Sequence, residues 1–164
     1  MSFLDTSVSI PQHGCIRMVQ SEANRHRLEL TSKDSTGKLS NRSVLIPYPV
    51  YHFEIADIDN NGEVDILVGV LKSTRFDPVK RKRLFAYRID QGYIRPLWLG
   101  SRVGQPLDCF RAVKQDAKTI IRTIERDKES RCYVGEYVWE GFGLTWIRYL
   151  GQRIPYEKAL LLFG

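Results

Sequence analysis

Short segments rich in β-branched and aromatic residues follow one another along nearly the whole chain, with only a few turn-forming residues between them. The series runs "CIRMVQ", "HRLELTS", "SVLIPYPVYHFEIADI", "DILVGVLKS", "RLFAYRID", "YIRPLWLGS", "TIIRTIERD", "RCYVGEYVW" and "LTWIRYLG". Such compositions favour strands. Parallel neighbours need crossovers of a dozen or more residues, so strands this closely spaced pair as antiparallel meanders. The partings at 34–37, 60–62, 90–92 and 141–143 are Asp, Asn and Gly turns, which tolerate left-handed backbone. Helical spacing is weak. It allows one short helix in "CFRAVKQDAKTIIRTIE" and a helical turn or an end strand in "YEKALLLF".

The strands differ in pattern. "DILVGV" is apolar on both faces, the mark of a strand covered on both sides, whereas "FEIADI" and "RLFAYRI" alternate. Sheets stacked between other sheets, in a propeller or a layered sandwich, explain the first kind. A faint internal echo points the same way: "ILVGVL" is followed by "LWLGS", and "YVGEYV" by "RYLGQ". With 164 residues, 43% hydrophobic and 27% charged, the chain reads as a single β domain with a real core.

Several classes are disfavoured. No apolar run approaches the roughly 18 residues of a membrane-spanning helix. The start has no basic region followed by an apolar stretch, so no signal peptide is legible, and an exported form would have lost its leader. Cys15, Cys109 and Cys132 are an odd count without CxxC grouping, which argues against zinc and against a disulfide framework. Gly14-Cys15 lacks the apolar stretch of a lipidation signal.

The chemistry-bearing motif is "ADIDNNGEVDILVG" at 56–69. Asp57, Asp59, Asn61 and Asp65 stand at positions 1, 3, 5 and 9 of a loop, with Gly62 at position 6 and the carbonyl of Glu63 at position 7. Calcium takes six to eight oxygens, and a loop that alternates carboxylates around a glycine turn offers them. Position 12 is Val68 and both flanks read as strands, so the loop is not an EF-hand. Crowded carboxylates with no basic residue inside the loop favour a cation; the alternative is a metal-free Asx-type turn.

The residues Asp57, Asp59, Asn61, Gly62, Asp65, Ile66 and Gly69 resemble the strand-loop-strand calcium site of FG-GAP and VCBS-type β-propeller repeats. The likeness covers 51–101, and it implies antiparallel, propeller-like four-stranded blades with a calcium ion holding the first hairpin of the blade. Residues 1–50 and 102–164 then form degenerate first and last units. In the last unit "IERDKESRCYVGEY" offers Glu125, Asp127 and Glu129 at alternating positions but has basic residues between them and no glycine in the loop, and "TSKDSTGK" is a polar turn. At about fifty residues per unit, the chain supplies about three blades, too few for a closed propeller. It is therefore part of a longer chain, self-associates, or packs as an open stack. An open stack with exposed apolar faces leads to the expectation of homo-oligomers. Calcium at millimolar levels implies an extracytoplasmic setting, the envelope or surface of a bacterium.

Two further surfaces are candidates. The net charge is +6, and Lys80, Arg81, Lys82 and Arg83 are consecutive; they form either a solvated strand entry or, with Lys72 and Arg75, a polyanion patch. Aromatics crowd the last third, where Trp139, Phe142 and Trp146 offer a surface for a sugar or a protein, or packing between sheets. Phe142, between two glycines, is expected at an exposed hairpin tip. No nucleophile elbow, P-loop, HExxH or Rossmann glycine pattern is present. The expectation is a non-enzymatic binding or assembly protein with a structural calcium loop and a protein or carbohydrate partner. A polyanion- or nucleic-acid-binding domain is the alternative, with nucleic acid disfavoured, and a carbohydrate-active enzyme is the weaker one.

Overall fold

The computed structural model describes residues 6–100 and 103–164. Residues 1–5, at the start of the expected first unit, lie outside the described residues, as do Ser101 and Arg102 at the expected boundary of the second and third. The described chain forms three four-stranded antiparallel sheets, not closed into a barrel, followed by one short helix. This is the all-β, antiparallel arrangement expected from the strand spacing, in four-stranded units such as the resemblance implied.

The first sheet is a meander of β1 (Thr6–Ile10), β2 (Gly14–Glu22), β3 (Arg25–Lys33) and β4 (Leu39–Ile46). The second contains β5 (Val50–Ala56), β6 (Asp65–Lys72), β7 (Arg81–Asp90) and β8 (Tyr93–Trp98). The third contains β9 (Leu107–Gln115), β10 (Lys118–Arg126), β11 (Cys132–Glu140) and β12 (Gly143–Ile154), with α1 (Tyr156–Phe163) behind it. The apolar stretch at 43–58 is divided between two sheets at Pro47 and Pro49, because proline cannot donate to a ladder. The segment with helical spacing is two strands. Its reversal is Asp116-Ala117, both left-handed at φ 50 and 64, which is how a two-residue hairpin matches the strand twist.

The second sheet is the middle layer. On β6, Ile66, Val68 and Val70 pack toward the first sheet with Ile16, Leu28 and Phe85, while Leu67 joins Leu84, Phe110, Ile121 and Tyr137 on the third-sheet side. A strand buried on both faces has no solvated face to make polar, so "DILVGV" does not alternate. Each such side chain contributes about 1.5–3 kcal/mol of burial. Gly69 is the exception to the apolar run, because an added Cβ would lie 2.6 Å from the Tyr51 ring.

Neither end of the stack is a bare apolar face. The outward side of the first sheet carries cross-strand polar pairs, Arg17 with Glu29 at 2.9 Å and Thr31 Oγ1 donating to Asn41 Oδ1 at 2.8 Å. On the third sheet, Ala159 and Phe163 of α1 cover Ile124, Cys132 and Val134. Beside them Glu136, 1% exposed, lies between Arg122 and Arg148 at 3.0 and 2.7 Å. Arg111 of β9 donates to the carbonyls of Phe163 and Gly164, capping the helix end where carbonyls lack partners. The outward faces of the end sheets thus carry polar pairs and a helix, whose Leu160 and Leu161 are themselves exposed. Among the described residues no helix is long and apolar enough to cross a membrane.

Candidate metal centre

The loop between β5 and β6 is built around its own carboxylates. Ile58 is buried in the cluster between the second and third sheets, which anchors the loop from inside. Asp57 accepts the amide of Asn61 on Oδ1 at 3.0 Å and that of Gly62 on Oδ2 at 2.7 Å. Asn60 and Gly62 take left-handed backbone, φ 58 and 91, as Asn and Gly do most readily. Asn61 accepts the amide of Glu63 at 2.8 Å and donates to Asp59 Oδ2 at 3.3 Å. Asp65, buried at the start of β6, accepts the amide of Ile58 at 2.9 Å.

One oxygen from each of Asp57, Asp59 and Asp65 lies within 4.8 Å of the others. No ion pair reaches any of the three among the described residues. Burial, followed by the charge of Asp59, pushes the Asp65 carboxyl up to about 7. Asp59 is raised as well, by burial first and then by its contact with Asp57. Asp59 Oδ1 is buried without a hydrogen-bond partner, an acceptor that costs free energy unless a donor or a cation meets it. Carboxylate oxygens with free lone pairs, converging around a tight turn, fit a hard cation. Of the five residues expected at the site, the three aspartates converge and Asn61 is bonded to one of them. The Glu63 carboxylate instead meets His13 Nε2 at 3.0 Å, which leaves only the Glu63 backbone for the loop.

The loop also reaches both neighbouring sheets, which the sequence pattern gave no means of anticipating. Glu63 meets His13 on the β1–β2 turn, and Asn60 Oδ1 accepts the Thr119 amide from β10 at 2.7 Å. Glu54 on β5 makes a third link by accepting the Ala112 amide of β9 at 2.6 Å. That amide belongs to an edge strand of its sheet.

The other acidic segments are built differently. Asp127 sits in the β10–β11 turn, so its place in the meander matches the β6–β7 connection and not the β5–β6 loop. Its Oδ1 accepts the amides of Glu129 and Arg131. Glu125 points inward, taking Thr123 Oγ1 at 2.5 Å and Tyr137 hydroxyl at 2.8 Å, while Glu129 pairs with Arg153 at 3.2 Å. The valine-glycine echo likewise joins unlike places: Gly69 lies on the second strand of its sheet and Gly135 on the third.

The basic segment is not a continuous exposed strip. Lys80 is exposed, but Arg81 and Arg83 share Asp77 at 2.7 and 3.3 Å, and Lys82 faces Asp108 at 3.6 Å. Burial opposes ionisation of Asp77, yet Arg81 outweighs it and holds the carboxyl below its ordinary value. The aromatics also separate. Trp139 packs edge-to-face on Trp98 at 6.3 Å between the second and third sheets, Phe142 is 94% exposed at its hairpin tip, and Trp146 stands half-exposed beside Tyr149. Comparisons with protein-family profiles, with curated proteins and with solved structures found no match.

Proposed function

We propose that the chain is a non-enzymatic binding or assembly module in which a calcium ion, held by Asp57, Asp59 and Asp65 with Asn61 and the Glu63 backbone, fixes the first hairpin of the middle sheet. The observation that carries this reading is the convergence of three aspartate oxygens within 4.8 Å around a buried acceptor, Asp59 Oδ1, that lacks a partner. The meander of four-stranded sheets and the spacing of the loop support a likeness to FG-GAP and VCBS-type repeats. Calcium of millimolar strength belongs outside the cytoplasm, and the reading places the protein there.

The metal's contribution here is architectural: it neutralises carboxylates that otherwise repel, in a loop bonded to both adjacent sheets through Asn60 and Glu63. Thermal unfolding with and without calcium tests it. The wild type should gain stability and Asp59→Ala should gain none; equal gains in both, or no gain in either, would overturn it. The polyanion reading draws less support, because Arg81, Lys82 and Arg83 already face carboxylates.

A further inference from the structure

β8 pairs with β7 only over residues 86–90 of the latter. Among the described residues, residues 81–85 of β7 therefore have β6 on one side and no strand on the other. Beside this segment, against whose Leu84 carbonyl Gly100 packs, lies a cavity of about 330 Å³ between the second and third sheets. That is large enough for a small organic molecule. Lys82, Trp98, Gln105 and Lys128 are among its lining residues, with the β7 backbone at 81–83. Leu84 and Leu107 add apolar surface.

The charges around it do not cancel. Asp77 serves both Arg81 and Arg83, and Asp108 serves both Lys82 at 3.6 Å and Arg126 at 3.4 Å. Lys128 has no ion pair among the described residues. Among the described residues, no aspartate or glutamate lines the cavity. Lys82 shares the third-sheet face of β7 with Leu84 and reaches Asp108 on β9, whereas Arg81 and Arg83 share the opposite face with Phe85.

The opposite wall is fixed in place. Gln105 donates its amide to Glu125 Oε1 at 2.7 Å and Gly104 donates its amide to the Tyr137 hydroxyl at 2.9 Å. Glu125 is fully buried. A wall held by a buried carboxylate loses little entropy when a ligand docks against it.

The geometry points to a binding site for a small organic anion, a carboxylate or phosphate ester bearing an aromatic or apolar group, seated between the second and third sheets. Its charge faces Lys82 and Lys128, and its apolar part rests on Trp98, Leu84 and Leu107. A concave site with a tryptophan and leucines selects an amphipathic small molecule over a polyanion, which needs an extended basic surface.

The test is a titration of the full chain, at constant calcium, with phenyl phosphate, benzoate and the neutral benzamide, followed by two-dimensional amide NMR. At least one anion should move the Gln105 and Leu107 amides and the Trp98 indole, and benzamide should not; whichever anion binds identifies the headgroup. Lys128→Gln and Lys82→Gln, at two exposed residues, should each weaken binding about tenfold. Absence of shifts with both anions would overturn the proposal. So would equal binding of benzamide, affinity unchanged in both lysine variants, or displacement of the anion by an oligonucleotide that binds more tightly.

Discussion

Two aspartate-led turns, the β5–β6 loop and the β10–β11 turn, use the same backbone device to opposite electrostatic effect. In each, an aspartate at the loop start accepts backbone amides from residues two to five positions on: Asn61 and Gly62 for Asp57, Glu129 and Arg131 for Asp127. Asp34 repeats the second version, taking the amides of Thr36 and Lys38. The carboxyls of Asp34 and Asp127 lie below their ordinary value. The Thr36 hydroxyl leads the lowering at Asp34, and backbone amides overcome the desolvation at Asp127. In the β5–β6 loop, Asp59 and Asp65 are raised instead. What distinguishes the regions is the presence of further carboxylates close by and the burial of one of them. A lone exposed aspartate in such a turn is satisfied by amides, whereas three converging ones require neutralisation.

Calcium provides the largest test of this difference. At about 100-fold over its dissociation constant, it should raise the melting temperature of the wild type by about 5–10 °C. Asp127→Asn should gain as much, and Asp65→Asn should gain nothing. A calcium response lost in Asp127→Asn would break the comparison.

Acidity gives the next effect, and the two regions should respond with opposite sign. The folded Asp65 carboxyl at about 7 lies above its unfolded value of about 3.9, so the native state holds the proton more tightly. In chelator, its contribution is therefore greatest below about pH 4 and declines as pH rises toward 7, by on the order of 3 kcal/mol. Asp65→Asn should match the wild type near pH 4 and exceed it near pH 8, read as melting temperature against pH. The lowered carboxyls of Asp34 and Asp127 stabilise above their unfolded value and lose that contribution as pH falls below about 4. A calcium-free wild type that is most stable near pH 8 relative to Asp65→Asn would contradict the assignment.

Smaller effects sharpen the comparison. Asn60→Gly preserves the left-handed backbone but removes the acceptor for Thr119. It should cost about 1 kcal/mol, measurable by urea unfolding, and the β9–β10 hairpin amides should exchange faster. Asp127→Asn leaves an oxygen for both amides, so its melting temperature should fall less than that of Asn60→Gly, by the same amount with and without calcium.

Much of the architecture was legible in the sequence because it rests on local rules. Closely spaced apolar segments required antiparallel meanders, and the uninterrupted "DILVGV" required cover on both faces, which β6 has. The loop spacing brought the right aspartates together because a tight turn leaves few places for them to go. What was hidden depends on residues far apart in the chain. β1 is a short polar strand with no apolar run to mark it. The Asp116-Ala117 reversal has neither Gly nor Asn. The meeting of Asn60 with Thr119, and the cavity between Lys82 and Gln105, arise from how sheets stack, which no spacing records.

Because both large interior clusters draw on the second sheet, the molecule is a short one-dimensional array whose central element is the nearest neighbour of each end. Fraying of an outer strand such as β4 or β12 removes contacts from one side only. Opening of β6 strips apolar cover from both outer sheets at once, so its amides should exchange only through global unfolding, making it the strand on which the cooperativity of the whole chain depends.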